Sequence, residues 1–152
     1  MVEASKEYEQ IAATVFIGAG ELEEELQSDL GERGGLLGFV SSEDKAKLIN
    51  AATLLVAAPE KKEHFGIIYA EALAAGVPVV AYEGGGVGSI VTPTEGILTD
   101  RNPKALGQKI NYLLLNSGLR KQMSVSCRHR AVKNYDYHVL VKELVVWLEK
   151  VM

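Results

Sequence analysis

The stretch TLLVAAPEKKEHFGIIYAEALAAGVPVVAY, residues 53–82, is the most informative part of the sequence for the fold, because its pattern predicts two buried strands joined by one helix. Its first segment, TLLVAA, is apolar on both faces, as a central strand of a parallel sheet should be. A helix is predicted over residues 66–75 and is stopped by Gly76, a residue typical of helix ends. The segment PVVAY reads as the next strand. A strand, a helix and a second strand in this order indicate a βαβ unit with parallel strands.

The same alternation continues on both sides of this unit. Before it, ATVFIGAG and GLLGFV read as short strands, while ELEEELQSDLGERG and SSEDKAKLINAA read as helices, the second capped by Ser41 or Ser42. After it, a short strand is predicted over residues 96–98 and two or three helices from about residue 103. We therefore predict an α/β fold: a Rossmann-like parallel sheet with helices on both faces, in a single domain of residues 1–152.

The composition restricts the possible classes of function. The chain has 152 residues, of which 47% are apolar and 24% charged, as in soluble globular domains with their own core. A net charge of −4 disfavours a nucleic-acid-binding protein, which needs a basic face. The single cysteine, Cys127, excludes an internal disulfide, and no apolar run is long enough for a transmembrane segment. The acidic N-terminus does not read as a signal peptide, so we expect a cytoplasmic protein.

Four predicted loops carry glycine or polar residues directly after a strand. They cover residues 18–20, 39–41, 59–65 and 82–89. Sheets of this kind bind ligands beyond the carboxyl ends of their parallel strands. We therefore expect the four loops to lie along one edge of the sheet and to form a ligand site there.

Glu63, His64 and Glu71 are polar residues set among apolar sequence in and after the third of these loops. The two glutamates are eight residues apart, so a helix could turn both carboxylates toward one side. A helix that begins near Phe65 and Gly66 offers free amides and the positive end of its dipole to an anion. A ligand with both phosphates and sugar hydroxyls would use the amides and the carboxylates together.

Each of these residues also has a purely structural interpretation. Glu63 could be an acid that favours the start of a helix, and His64 could be an ordinary loop histidine. A structural Glu71 would need a buried partner, because its apolar neighbours predict a buried helix. The sequence alone leaves both interpretations open.

The other motifs serve mainly to exclude functions. The run EGGGVG, which contains Gly85 and Gly86, suits a backbone that approaches a ligand closely, although glycine turns are common. At residues 18–20, GAG is followed by Glu21 rather than by the spacing of a dinucleotide motif, which disfavours a nicotinamide-dependent dehydrogenase. No His, Asp or Glu cluster has the spacing of metal ligands, and no nucleophile elbow surrounds Ser89.

Four segments together resemble the C-terminal, donor-binding half of retaining family 4 glycosyltransferases, which have two Rossmann-like domains in the GT-B arrangement. These segments cover nearly the whole chain: VFIGAGELEEEL, LLGFVSSEDKAKLINAATLLVAAP, EHFGIIYAEALAAGVPVVAYEGGG and TEGILTD. The most specific feature is the pair of acids separated by seven residues, Glu63 and Glu71, with GVPVVA after them. The motif EHFGI is similar to that of mannosyltransferases that use GDP-mannose.

The resemblance implies a role for each matching residue. Glu71 would hold the ribose hydroxyls of the nucleotide, and Glu63, the candidate catalytic residue, would contact the donor sugar. The resemblance implies no protein nucleophile. The other residues would bring the backbone close to the sugar, the diphosphate and the nucleobase; they are His64, Phe65, Gly66, Ile67, Gly18, Gly20, Phe39 and Val40.

The implied activity is transfer of a hexose from a nucleotide sugar, such as GDP-mannose or a UDP-sugar, to a glycan or lipid-linked acceptor, without a metal or other cofactor. The implied partner is an N-terminal acceptor-binding domain. Any association with the cytoplasmic face of a membrane would be through that domain.

Two features depart from the family pattern. Gly88 stands where an acid often follows the glycine turn, and the diphosphate-binding Arg and Lys of the family would precede Met1. We therefore expect the isolated chain to be inactive, and a non-catalytic module that binds nucleotides or a partner protein is the alternative.

Overall fold

The computed structural model describes residues 1–59, 61 and 64–151. In chain order, with one 3₁₀ turn at Gly31–Arg33, its helices and strands are α1 (Val2–Ser5), β1 (Thr14–Phe16), α2 (Glu23–Leu30), β2 (Gly34–Leu36), α3 (Ser42–Ala51), β3 (Leu55–Ala57), α4 (Ile67–Ala75), β4 (Val79–Tyr82), α5 (Val87–Ile90), β5 (Gly96–Thr99), α6 (Pro103–Leu115), α7 (Ser117–Asn134) and α8 (Tyr137–Val151).

All strand pairs are parallel, which confirms the predicted α/β class. The strand β1 pairs with β2, and β3, β4 and β5 pair in that order. The described strands therefore form two hydrogen-bonded groups rather than one continuous sheet. A cavity of about 550 Å³ lies between the groups and is lined by residues of both β1 and β3.

The strand β4 lies in the middle of the three-stranded group, and its side chains alternate between two cores. Val79 and Ala81 belong to a core to which α3, α4, α5 and α7 contribute. Val80 belongs to a second core, formed with α1, α6 and the first half of α7. Helices thus cover both faces of this strand, and its successive positions are apolar because each points into one of two cores.

The turn after α4 holds this helix against β4. Gly76 has a φ of +72°, which residues with a side chain rarely adopt. The amides of Gly76 and Val77 donate hydrogen bonds to the carbonyls of Leu73 and Ala72, which closes the last helical turn. The chain then enters β4 at Val79, so the C-terminal end of α4 is held close to the sheet.

The C-terminal part is helical from Pro103, as predicted, but its helices differ in burial. The apolar face of α6 is buried, with Leu106, Ile110 and Leu113 in the second core. The apolar face of α8 lies outside both cores: none of the residues of α8 is buried, and Leu144 is 55% exposed. None of the described helices combines the length and the apolar character that a membrane span requires.

Candidate functional site

Backbone contacts join the predicted loops in pairs. The Gly18 amide donates a hydrogen bond of 2.8 Å to the Gly38 carbonyl, which links the loops after β1 and β2. Gly86, after β4, packs directly on the segment after β3. A side chain at Gly86 would place its Cβ 2.0 Å from the His64 carbonyl oxygen and 3.1 Å from Phe65 Cα. Only glycine fits there, so this part of the glycine run serves a close contact between two loops.

The helix α4 begins beside this contact without a side-chain cap. Its N-cap residue, Gly66, is buried and has a φ of +84°. By contrast, Ser41 caps α3 and Asn102 caps α6, each through a hydrogen bond to a backbone amide. The start of α4 therefore keeps amide groups that a ligand can use, together with the positive end of the helix dipole.

Glu71 lies in the second turn of α4 and forms an ion pair with Lys45 of α3. Lys45 Nζ is 2.6 Å from Glu71 Oε1, and the two side chains are 34% and 33% exposed. The second carboxylate oxygen, Oε2, is enclosed and has no hydrogen-bond partner among the residues that the structure describes. The partner that a structural Glu71 would need is thus present, but it satisfies only one of the two oxygens.

Several apolar side chains are exposed along the same loops. Phe39 is 88% exposed, and Ile67, in the first turn of α4, is 69% exposed. Phe65 is 45% exposed and packs edge-on against Tyr135, with the ring centroids 6.0 Å apart. Val40 is half-buried. These residues offer apolar surface at the uncapped start of α4 and in the loop after β2, which ends at Leu36.

The structure does not bring every predicted residue together. Gly20 lines a separate, open pocket of about 740 Å³, together with Glu21 and acidic residues of α2. This pocket is lined by no residue of α4. Gly85 has a φ of +62° in the turn before Gly86. Glu63, predicted to contact the donor sugar, lies outside the described residues.

Lys45 was not predicted as a site residue, although its position in α3 carries a signal. Lys45 precedes the buried Ile49 by four residues, so the two side chains lie on the same face of α3. Lys47 lies on another face and pairs with acids of its own helix, Glu43 at 2.7 Å and Asp44 at 3.5 Å. The helical spacing therefore distinguishes a lysine that faces α4 from one that faces solvent.

Glu95, a buried residue that is 4% exposed, was not predicted from the sequence either. Its Oε2 accepts hydrogen bonds from the Thr92 amide at 3.0 Å and the Thr92 hydroxyl at 2.6 Å, and its Oε1 accepts one from Thr94 at 2.6 Å. Burial alone would raise the pKa of Glu95, but these hydrogen bonds and the nearby Arg130 outweigh it and lower the pKa. Within the segment TPTEG the carboxylate thus stabilises a turn before β5.

Two other kinds of site are not supported by the described residues. Burial, with a smaller contribution from Glu95, raises the pKa of the Cys127 thiol to about 12, so this thiol is not a ready nucleophile. No group of three or more His, Cys, Asp or Glu side chains in the described part of the chain could hold a metal ion.

Known proteins share both the sequence pattern and the fold. The chain matches the family described as Glycosyl transferases group 1 over residues 2–130. An uncharacterized glycosyltransferase of Methanocaldococcus jannaschii is 30% identical over 141 residues, which are 88% of this chain and 36% of that protein. The alpha-1,3/1,6-mannosyltransferase ALG2 of Homo sapiens is 28% identical over 127 residues, 83% of this chain and 30% of that protein.

Solved structures are similar over almost the whole chain. Anabaena HepE in complex with UDP superposes with a TM-score of 0.86 at 22% identity, covering 97% of this chain and 44% of that one. Sucrose-phosphate synthase from Thermosynechococcus elongatus gives 0.83 at 23% identity, covering 99% and 42%. The chain thus spans less than half the length of these relatives. It belongs to the group 1 glycosyl transferases, as its sequence motifs predicted, and the GT-B type of fold is confirmed.

Proposed function

We propose that this member of the group 1 glycosyl transferases is the nucleotide-sugar-binding, C-terminal half of a retaining enzyme that transfers a hexose to a glycan or lipid-linked acceptor. The observation that carries the proposal is the Glu71 carboxylate, which has one oxygen without a partner among the described residues. It lies on the helix whose first amides have no side-chain cap. A spare acceptor and spare donors on one helix suit a ligand that has both hydroxyls and phosphates.

The parts of the ligand are assigned to these groups by their chemistry. The first amides of α4 and the dipole of this helix bind the diphosphate and stabilise the charge that develops on it as it leaves. Glu71 accepts hydrogen bonds from the ribose hydroxyls, and the backbone of the exposed Phe39 and the half-buried Val40, in the loop after β2, contacts the nucleobase. Glu63 contacts the donor sugar, a role that rests on its match to the family motif. Positioning of the donor, rather than a protein nucleophile, is the contribution of this half.

The proposed donor is GDP-mannose, with a UDP-sugar as the competing possibility. The motif EHFGI is similar to that of GDP-mannose-dependent enzymes. Two relatives are named as mannosyltransferases: ALG2, and the phosphatidyl-myo-inositol mannosyltransferase of Mycobacterium leprae, which is 31% identical. HepE, in contrast, binds UDP and UDP-glucose. The binding roles assigned here need no metal.

The whole protein would also contain an N-terminal acceptor-binding domain. The relatives are more than twice as long as the part that this chain matches, which leaves room for such a domain. In the cell, the protein would act in the cytoplasm or on the cytoplasmic face of a membrane, with its acceptor bound to the other half. The 152-residue chain alone should then bind a nucleotide but transfer no sugar.

A thermal-shift and calorimetric screen of the 152-residue chain with GDP, UDP and ADP, and with their hexose conjugates, tests the proposal. We expect one nucleoside diphosphate to raise the melting temperature, GDP more than UDP, and free mannose to have no effect. If no nucleotide binds, the non-catalytic interaction module is the better interpretation. Sugar transfer by the purified chain would contradict the assignment of the acceptor site to a missing half.

A further inference from the structure

The ammonium group of Lys45 has no role in the proposed function, although it is the closest charge to the residue on which that function depends. We infer that Lys45 is a positioning residue, which orients the Glu71 carboxylate and offsets its negative charge so that a nucleoside diphosphate can bind beside it. This inference rests on the proposed function and adds a specific residue to it.

The backbone of Lys45 is fixed by the start of α3. Ser41 caps this helix by accepting a hydrogen bond from the Asp44 amide at 3.0 Å, and the Lys45 amide donates to the Ser41 carbonyl at 2.8 Å. The helices α3 and α4 pack against each other. Lys45 therefore reaches Glu71 from the first turn of α3, and its side chain bridges the two packed helices.

The ion pair leaves the carboxylate able to bind a second group. An ionised carboxylate offers about four lone-pair positions, and Lys45 uses only Oε1. The other oxygen has no partner in the described part of the chain. Ribose hydroxyls can thus bond to the carboxylate while Lys45 keeps it in place, since the two kinds of donor do not have to compete.

The charge of Lys45 also resolves a conflict within the site. A carboxylate near the start of α4 would repel a diphosphate, because two negative groups would lie close together. The contact of 2.6 Å makes the Lys45–Glu71 pair neutral as a unit. The amides of α4 can then attract the diphosphate without opposition from Glu71.

The test compares Lys45→Met with Lys47→Met by titrating each variant with GDP and with UDP. Removing one charge near a bound anion should weaken diphosphate binding by about fivefold to tenfold in Lys45→Met. Lys47→Met should bind like the wild type, because Lys47 pairs only with acids of its own helix among the described residues. Lys45→Arg, which keeps the charge, should recover most of the affinity. Circular dichroism identifies any variant that does not fold.

A double-mutant cycle separates positioning from a merely structural role. If Lys45 acts through Glu71, Lys45→Met should cause a smaller loss of affinity in the Glu71→Gln background than in the wild type. Additive losses, unchanged affinity in Lys45→Met, or tighter binding by that variant would overturn the inference while leaving the proposed function intact. A wild-type chain that binds neither GDP nor UDP would instead overturn the proposed function, and this inference with it.

Discussion

The carboxylates of Glu95 and Glu71 have different surroundings. Glu95 is 4% exposed, and both of its oxygens accept hydrogen bonds from Thr92 and Thr94. The Glu71 side chain is 33% exposed; one of its oxygens contacts Lys45 and the other has no partner among the described residues. The first carboxylate is saturated by its own neighbours, and the second is held but not saturated.

This difference indicates what each carboxylate does. A buried acid whose oxygens are all bonded stabilises the fold and has no capacity left for a ligand. An acid that keeps an unbonded oxygen carries an unfavourable desolvation energy unless something else binds there. The comparison therefore predicts that Glu95 matters for stability and Glu71 for binding. Three measurements test this difference between Glu95 and Glu71.

The largest expected effect is a loss of stability in the Glu95→Ala variant. This change removes the acceptor of the Thr92 amide and of two hydroxyls, together with the ion pair to Arg130 at 3.9 Å, and we expect a loss of about 3 kcal/mol in the free energy of unfolding. Urea denaturation followed by circular dichroism measures it. The control Glu149→Ala, at an exposed position of α8, should stay within about 0.5 kcal/mol of the wild type. A Glu95→Ala variant as stable as this control would show that the saturated network contributes nothing.

The next largest expected effect is weaker nucleotide binding by the Glu71→Gln variant. Charge-assisted hydrogen bonds contribute about 1.5–3 kcal/mol each, so nucleotide affinity should fall roughly tenfold or more. Stability should change little, because a partly buried charge is removed along with its surface ion pair. Melting temperatures with and without nucleotide separate the two quantities, with Glu149→Gln as the matched control. A lower melting temperature with an unchanged nucleotide response would make Glu71 a structural residue like Glu95.

The smallest effect is on the pH dependence of stability. The folded-state pKa of Glu95 lies below its ordinary value of 4.5, so its ionised form stabilises the fold at higher pH. This contribution is fully present above about pH 4.5 and is lost as the pH falls through the folded-state pKa. We expect Glu95→Gln to be less stable at neutral pH and to lose less stability on acidification than the wild type. Parallel curves of unfolding free energy against pH would contradict the saturated state of Glu95.

The sequence predicted the elements better than their long-range contacts. The segments TLLVAA and PVVAY were recognisable as strands because their apolar residues occupy consecutive positions, and Gly76 marked the end of α4 because helices often end at glycine. The partner of Glu71 was not predicted, since Lys45 is 26 residues away and its direction depends on how α3 packs on α4. The exposed face of α8 has the same apolar spacing as a buried face, so periodicity alone cannot distinguish them.

The two groups of strands, which lie on either side of the cavity between β1 and β3, should differ in how easily their hydrogen bonds open to solvent. The strand β4 has a neighbour on each side and its residues Val79, Val80 and Ala81 are fully buried, whereas Val15 of β1 is 55% exposed. Amide hydrogens of β4 should therefore exchange with solvent only when the whole molecule unfolds, while those of β1 and β2 exchange through smaller fluctuations. The loop at Gly18 would then open on its own, and α4 with Glu71 would belong to the part of the chain that exchanges last.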